Sequence, residues 1–168
     1  MKRQLMDDII SYDVICSPPG DHMDTAYAQL DAPLTPAPAP QTFANEDDRK
    51  RLSGVALKAF RRVVEAWGLT NADSAALLGV SGSTWDRIKR GGRAEALSQD
   101  QLTRASAVIG LYKGLQLLFA DDKAARWPSL KNRGPIFGGA TPTQAMVSGG
   151  IPVMLEVRRY IDAVRGGI

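Results

Sequence analysis

From residue 49 onward the apolar residues recur at spacings of three and four, and no segment sustains the strict alternation of a half-buried strand. That period restricts the chain to helices. Leu52, Val55/Ala56, Phe60, Val63 and Trp67 form a first stripe, with Gly68 as its stop. Thr70 caps a short second helix, with Asp73 three residues on and Gly79 at its end, and Ser81 caps a third that runs up to Gly91-Gly92. Ser98-x-x-Gln101 is a capping box for a long fourth helix, whose apolar face holds Leu102, Ala105, Val108/Ile109, Tyr112, Leu115 and Leu118/Phe119. Next, DDKAARWPSLKNRGPIFGG allows a short helix stopped before Pro128 and then a turn-rich loop. Thr141-Pro142-Thr143-Gln144 opens a helix over 142 to about 148, and Pro152 opens a last one with Met154, Val157, Ile161 and Val164 along one side. The predicted fold is all-α, with an amino-terminal helix-turn-helix bundle over 49–118 and a small helical domain over 119–168.

The first 48 residues are of another kind. In DAPLTPAPAPQT (31–42) each proline fixes φ and removes a donor, which favours an extended, solvated linker. Residues 1–48 therefore read as an acidic, Pro/Ala-rich, largely disordered arm. Leu5, Met6, Ile9 and Ile10 share one helical face within it, compatible with a short docking segment or with a frayed tail. The arm holds two cations against nine acids (net −7), and the remainder nineteen against nine (net +10). A basic body of this kind suits a polyanionic partner, though it is also compatible with a merely solvated surface.

Several classes are excluded by what these residues cannot do. A chain of 168 residues that is 44% hydrophobic can bury a core. Two aspartates interrupt the apolar run near the start, so it lacks the continuous core of a signal peptide, and no stretch has the apolar length of a membrane span. The single Cys16 cannot form an intramolecular disulfide, and with only His22 nearby there is no zinc-ligand spacing. The expectation is a reduced, cytoplasmic protein without metal or cofactor. Catalysis is not expected either. Gly134, Gly138, Gly139, Gly149 and Gly150 are not followed by the Gly-Lys-Ser/Thr of a phosphate loop, and Asp121-Asp122 stand at a helix start, where they complement its dipole.

A specific function emerges at residues 75–93, AALLGVSGSTWDRIKRGGR. A DNA-reading helix-turn-helix needs a small residue where its helices cross, a tight turn, and apolar anchors under the recognition helix. Ala75 is the small residue, Gly79 makes the turn, and Val80, Trp85 and Ile88 point inward. Ser81, Ser83 and Thr84 then sit at a helix N-terminus, where hydroxyls and backbone N–H groups suit phosphate. Arg87 has the reach to read guanine, and Lys89, Arg90 and Arg93 are placed for the backbone. Helical hairpins with a glycine turn also occur without DNA.

Downstream, the run LLFADDKAARWPSLKNRGPIFGGATPTQAMVSGG followed by an amphipathic helix resembles the Xre/MbcA/ParS antitoxins over about residues 50–168. The resemblance implies that the carboxy-terminal domain binds a RES-type toxin, which consumes or transfers from NAD, by covering its active-site cleft, and that the complex represses its own operon. It implies contacts from Trp127, Asn132, Phe137, Gly139, Thr141 and Pro142. Physical reasoning adds Arg158, Arg159 and Arg165 on the last helix, as cations for an anionic or nucleotide-binding cleft or as a solvated basic face. A homodimer within a larger hetero-oligomer is expected, on a palindromic operator, because one short helix reads too few base pairs. A stand-alone regulator or segregation-type DNA-binding protein is the alternative, with the tail serving dimerisation only.

Overall fold

The computed structural model describes residues 42–91 and 96–166. The arm up to residue 41, with Leu5, Met6, Ile9, Ile10, Cys16 and His22, lies outside the described residues, as do Arg93 and the two terminal residues.

Helix α1 spans Glu46–Ala66 and begins three residues earlier than the apolar period indicates. Asn45 caps it, accepting from the N–H groups of Asp47 and Asp48 at 2.8 and 3.2 Å. Glu46, Asp47 and Asp48, counted above with the acidic arm, form its first turn, where the positive end of the helix dipole favours them. Periodicity missed this turn because its stability comes from a cap and charges rather than from apolar burial.

The next boundaries follow the caps. Helix α2 spans Asn71–Leu78 behind Thr70, and α3 spans Gly82–Lys89 behind Ser81. Between them Gly79 adopts φ 74, a left-handed conformation that costs a side chain of L chirality energy. It lets the Val80 N–H reach the Ala75 carbonyl at 3.0 Å and the Gly79 N–H reach that of Ala76 at 3.1 Å. This pair of bonds is a Schellman closure, and it turns the chain sharply into α3. Helix α4 spans Gln99–Leu118 with the Ser98–Gln101 box fully formed. Helix α5 spans Asp121–Arg126 and continues as a 3-10 turn over Trp127–Ser129.

Helix α6 spans Pro142–Gly166, with one break. Thr141 and Gln144 exchange the two bonds of a capping box, each 3.1 Å, at its start. At Gly150 the backbone takes φ 62 and ψ −152, a conformation open in practice only to glycine. The helices expected from Pro142 and Pro152 are thus two limbs separated by non-helical backbone at Gly150. Among the described residues every regular element is helical.

Phe43–Ile168 is one compact unit. Its centre is α4, which packs against α1 on one side and most extensively against α6 on another, so packing continues across the expected boundary at 118/119. Leu102, Ala105, Ala107, Val108, Leu111, Gly114 and Leu115 of α4 are all buried. A helix that is apolar around most of its circumference has no single stripe, which is why the sequence reading omitted Ala107 and Leu111. Gly114 lets α6 come close, since a Cβ there would stand 2.8 Å from Ile161 Cγ2, and the Arg158 guanidinium lies over Gly110. Far from this contact, the buried Ser53 hydroxyl donates to the Arg49 carbonyl at 2.6 Å and accepts from the Leu97 N–H at 2.8 Å, tying the approach to α4 onto α1.

Candidate functional site

The helix-turn-helix is assembled from its anchors outward. Ala75, Trp85 and Ile88 are buried and Val80 is partly buried, which fixes α3 on α1 and α2 by one face. Trp85 meets Phe60 edge to face, with ring centroids 5.8 Å apart. Its indole N–H is buried without a hydrogen-bond partner, a cost that the burial of the large ring offsets.

The remaining face of α3 is polar. Ser81 accepts from the Thr84 N–H at 3.2 Å, and its hydroxyl lies 2.9 Å from Thr84 Oγ1 and 3.0 Å from Ser83 Oγ, so three hydroxyls cluster at the N-terminus. Ser81, Ser83, Arg87, Lys89 and Arg90 are exposed, and Thr84 is half-buried. At the other end Lys89 Nζ donates to Asn71 Oδ1 at 3.0 Å, and Arg61 donates to the Lys89 carbonyl at 3.1 Å. Arg90 turns back to donate to the Asp86 carbonyl at 3.2 Å. Arg61, Asn71 and Lys89, with Glu65, line an open cleft of about 380 Å³ beside the start of α2. The sequence reading missed Arg61 and Asn71 as companions of Lys89, because the pairing joins α1, α2 and α3 across 18 and 28 residues of chain. Hydroxyls and N–H groups at one end of α3, and Arg87, Lys89 and Arg90 beyond exposed Asp86, suit a phosphate backbone flanking a groove, with the one carboxylate opposing it.

The tail is arranged differently. Trp127, Asn132 and Phe137 are buried at 8, 6 and 4% exposure, and Pro142 is buried at the first position of α6. Trp127 and Phe137 stack edge to face at 5.8 Å, and Phe137 and Tyr160 at 5.9 Å. Burial pushes the half-buried Tyr160 hydroxyl above the ordinary tyrosine range, keeping it neutral. Asn132 closes the loop: its side chain accepts from the Gly134 N–H at 2.8 Å, its N–H donates to the Ala140 carbonyl at 3.1 Å, and its carbonyl accepts from Gly139 at 2.9 Å. The Thr143 hydroxyl donates to the Pro128 carbonyl at 2.8 Å. These four expected contact residues are buried in the isolated chain, and Asn132 hydrogen-bonds across the loop.

Of the expected contact residues, Gly139, Arg159 and Arg165 are exposed and Thr141 and Arg158 half-buried. Arg158 lays its side chain over Gly110 and stands 3.8 Å from Asp162, which Arg165 approaches at 3.7 Å. Pairs this long and half-exposed are readily exchanged for other anions. Among the described residues no group of three histidine, cysteine or carboxylate side chains is arranged to hold a metal, and no helix is long and apolar enough to cross a membrane.

Comparison with known proteins agrees with the geometry of α1–α4. Residues 46–110 match the family model of the antitoxin Xre-like helix-turn-helix domain. The chain is also similar to the uncharacterised protein y4oB of Sinorhizobium fredii, with 34% identity over 113 residues that cover 66% of this chain and 84% of that one. No solved structure matches. The chain belongs to the family of antitoxins built on an Xre-like helix-turn-helix domain.

Proposed function

We propose that this antitoxin neutralises a RES-type, NAD-consuming toxin by laying the exposed surface around α6 over the toxin's active-site cleft, and that it represses its own operon by placing α3 in the major groove. The protein itself does no chemistry in this reading and needs no cofactor. The observation that carries it is the union, in one compact unit, of an antitoxin-type helix-turn-helix with a tail whose outer surface keeps Arg159 and Arg165 in solvent. Guanidinium groups suit the phosphates and carboxylates of a nucleotide-binding cleft because they bind such groups in a two-pronged fashion. A homodimer would present two copies of α3 about 34 Å apart, or a multiple of that, on a palindromic operator.

A second reading is favoured by the extent of the α4–α6 contact, which gives α6 a structural role of its own. In that reading the protein is a stand-alone regulator and the tail completes the fold. Deleting residues 140–168 does not separate the two, since it strips Met154, Val157 and Ile161 from the core. Charge reversal on the surface does. Purification of the tagged protein from its native host should bring down a stoichiometric partner that hydrolyses NAD once released. The double variant Arg159→Glu/Arg165→Glu should lose that partner and still bind DNA upstream of its own gene. Recovery of the protein alone, with the variant indistinguishable from wild type, would establish the stand-alone regulator.

A further inference from the structure

Arg104 stands on α4 between the two glycine breaks that shape the molecule. A Cβ on Gly79 would lie 3.0 Å from Arg104 Nε and 3.1 Å from its Cδ, and one on Gly150 would lie 3.6 Å from an Arg104 Nη. The half-buried side chain thus runs from the turn that launches α3 to the break in α6. Both glycines end a helical run: Gly79 closes α2, and Gly150 closes the first limb of α6. A helix C-terminus carries a partial negative charge of roughly half an electron, so the guanidinium lies beside the negative end of α2 and, at Gly150, beside the junction of the two limbs of α6. No ion pair among the described residues involves Arg104. Helix α2 also packs directly on α6.

We propose that Arg104 is a positioning residue that fastens the α2–α3 turn to the α6 break, so that the DNA-reading helix and the partner-facing helix set each other's position. The proposal rests on the assignment of α3 to DNA and of the α6 surface to a protein partner. Alanine has no comfortable place at φ 62, ψ −152, so Gly150→Ala must move the break. Through Arg104 that movement reaches the turn at Gly79. By linkage, any partner that shifts α6 changes DNA affinity by the same factor by which DNA changes partner affinity.

The test is a double-mutant cycle in the full chain, with Gly150→Ala and Arg104→Gln made singly and together. Two readouts apply: the amide chemical shifts of Gly79, Val80 and Ser81, and the affinity for a duplex from upstream of the protein's own gene. Gly150→Ala alone should move those amides and weaken the duplex about tenfold. In the Arg104→Gln background it should do neither, and Arg104→Lys, which keeps the charge, should restore part of the effect. Equal effects of Gly150→Ala in both backgrounds, or none in either, would overturn the proposal. Should Gly150→Ala melt too low to measure, Pro152→Ala, at an exposed position beside the break, takes its place. If the wild-type protein ignores the duplex, the DNA assignment fails, and the amide shifts still decide the role of Arg104.

Discussion

Helix α3 and the tail place their distinctive residues on opposite sides of the surface. Along α3 Ser81, Ser83, Arg87, Lys89 and Arg90 stand outward over buried Trp85 and Ile88, with Thr84 half-buried between them. In the tail the distinctive residues Trp127, Asn132, Phe137 and Pro142 face inward, and the outer face is a mixture of common residues such as Leu130, Lys131, Gln144, Glu156 and Arg159. Short recurring patterns therefore mark different things in the two regions. An eight-residue helix under two anchors has little room for anything but an interior face and a solvent face. A loop of a dozen residues without regular structure needs its own small core, and its rarest residues are spent on making one.

The sharpest way to break this contrast is Phe137→Ala. Removing a ring held between Trp127 and Tyr160 should cost about 3–5 kcal/mol of folding stability, read by urea unfolding. Unchanged stability with lost partner binding would return Phe137 to the contact surface. On the α3 side, Arg87→Ala should leave unfolding unchanged and weaken specific duplex binding by about 1–3 kcal/mol, while non-specific binding falls less. Equal losses on both duplexes would show that Arg87 touches only the backbone. Lys89→Ala should weaken both duplexes alike and lower the salt dependence of binding by about one ion, a smaller effect because Asn71 already shares its ammonium.

The smallest expected effect concerns the start of α1. The hydrogen bond from Lys50, 2.8 Å away, and then its charge hold the Glu46 carboxyl below the ordinary 4.5. A depressed carboxylate contributes stability that is present above its unfolded value and lost as pH falls through its folded one. Because Glu46 is fully exposed, Lys50→Ala should only slightly shallow the acid limb of stability below about pH 4.5, measured by urea titration. A large change there would mean that the first turn bears on the core rather than merely capping it.

Local chemistry made much of the molecule legible in advance. Thr70, Ser81, Ser98 and Thr141 cap the helices that their hydroxyls announce, and Gly79 makes the expected turn, since each bond closes within three to five residues. The inward residues of α3 were legible for the same reason, the helical period being local. Helix α1 shows the limit of that approach, for its first turn is polar and leaves no apolar trace.

The sequence by itself thus determined the helical class, the stops and caps, and which face of α3 looks inward, because each depends on interactions shorter than one or two helical turns. Long-range packing alone makes α4 central, lets α6 close on Gly114, buries Trp127 and Phe137 in the tail, and brings Arg104 beside both Gly79 and Gly150. Those facts depend on which helix faces which across tens of residues. No spacing along the chain encodes that choice, which is fixed by how the apolar faces bury one another.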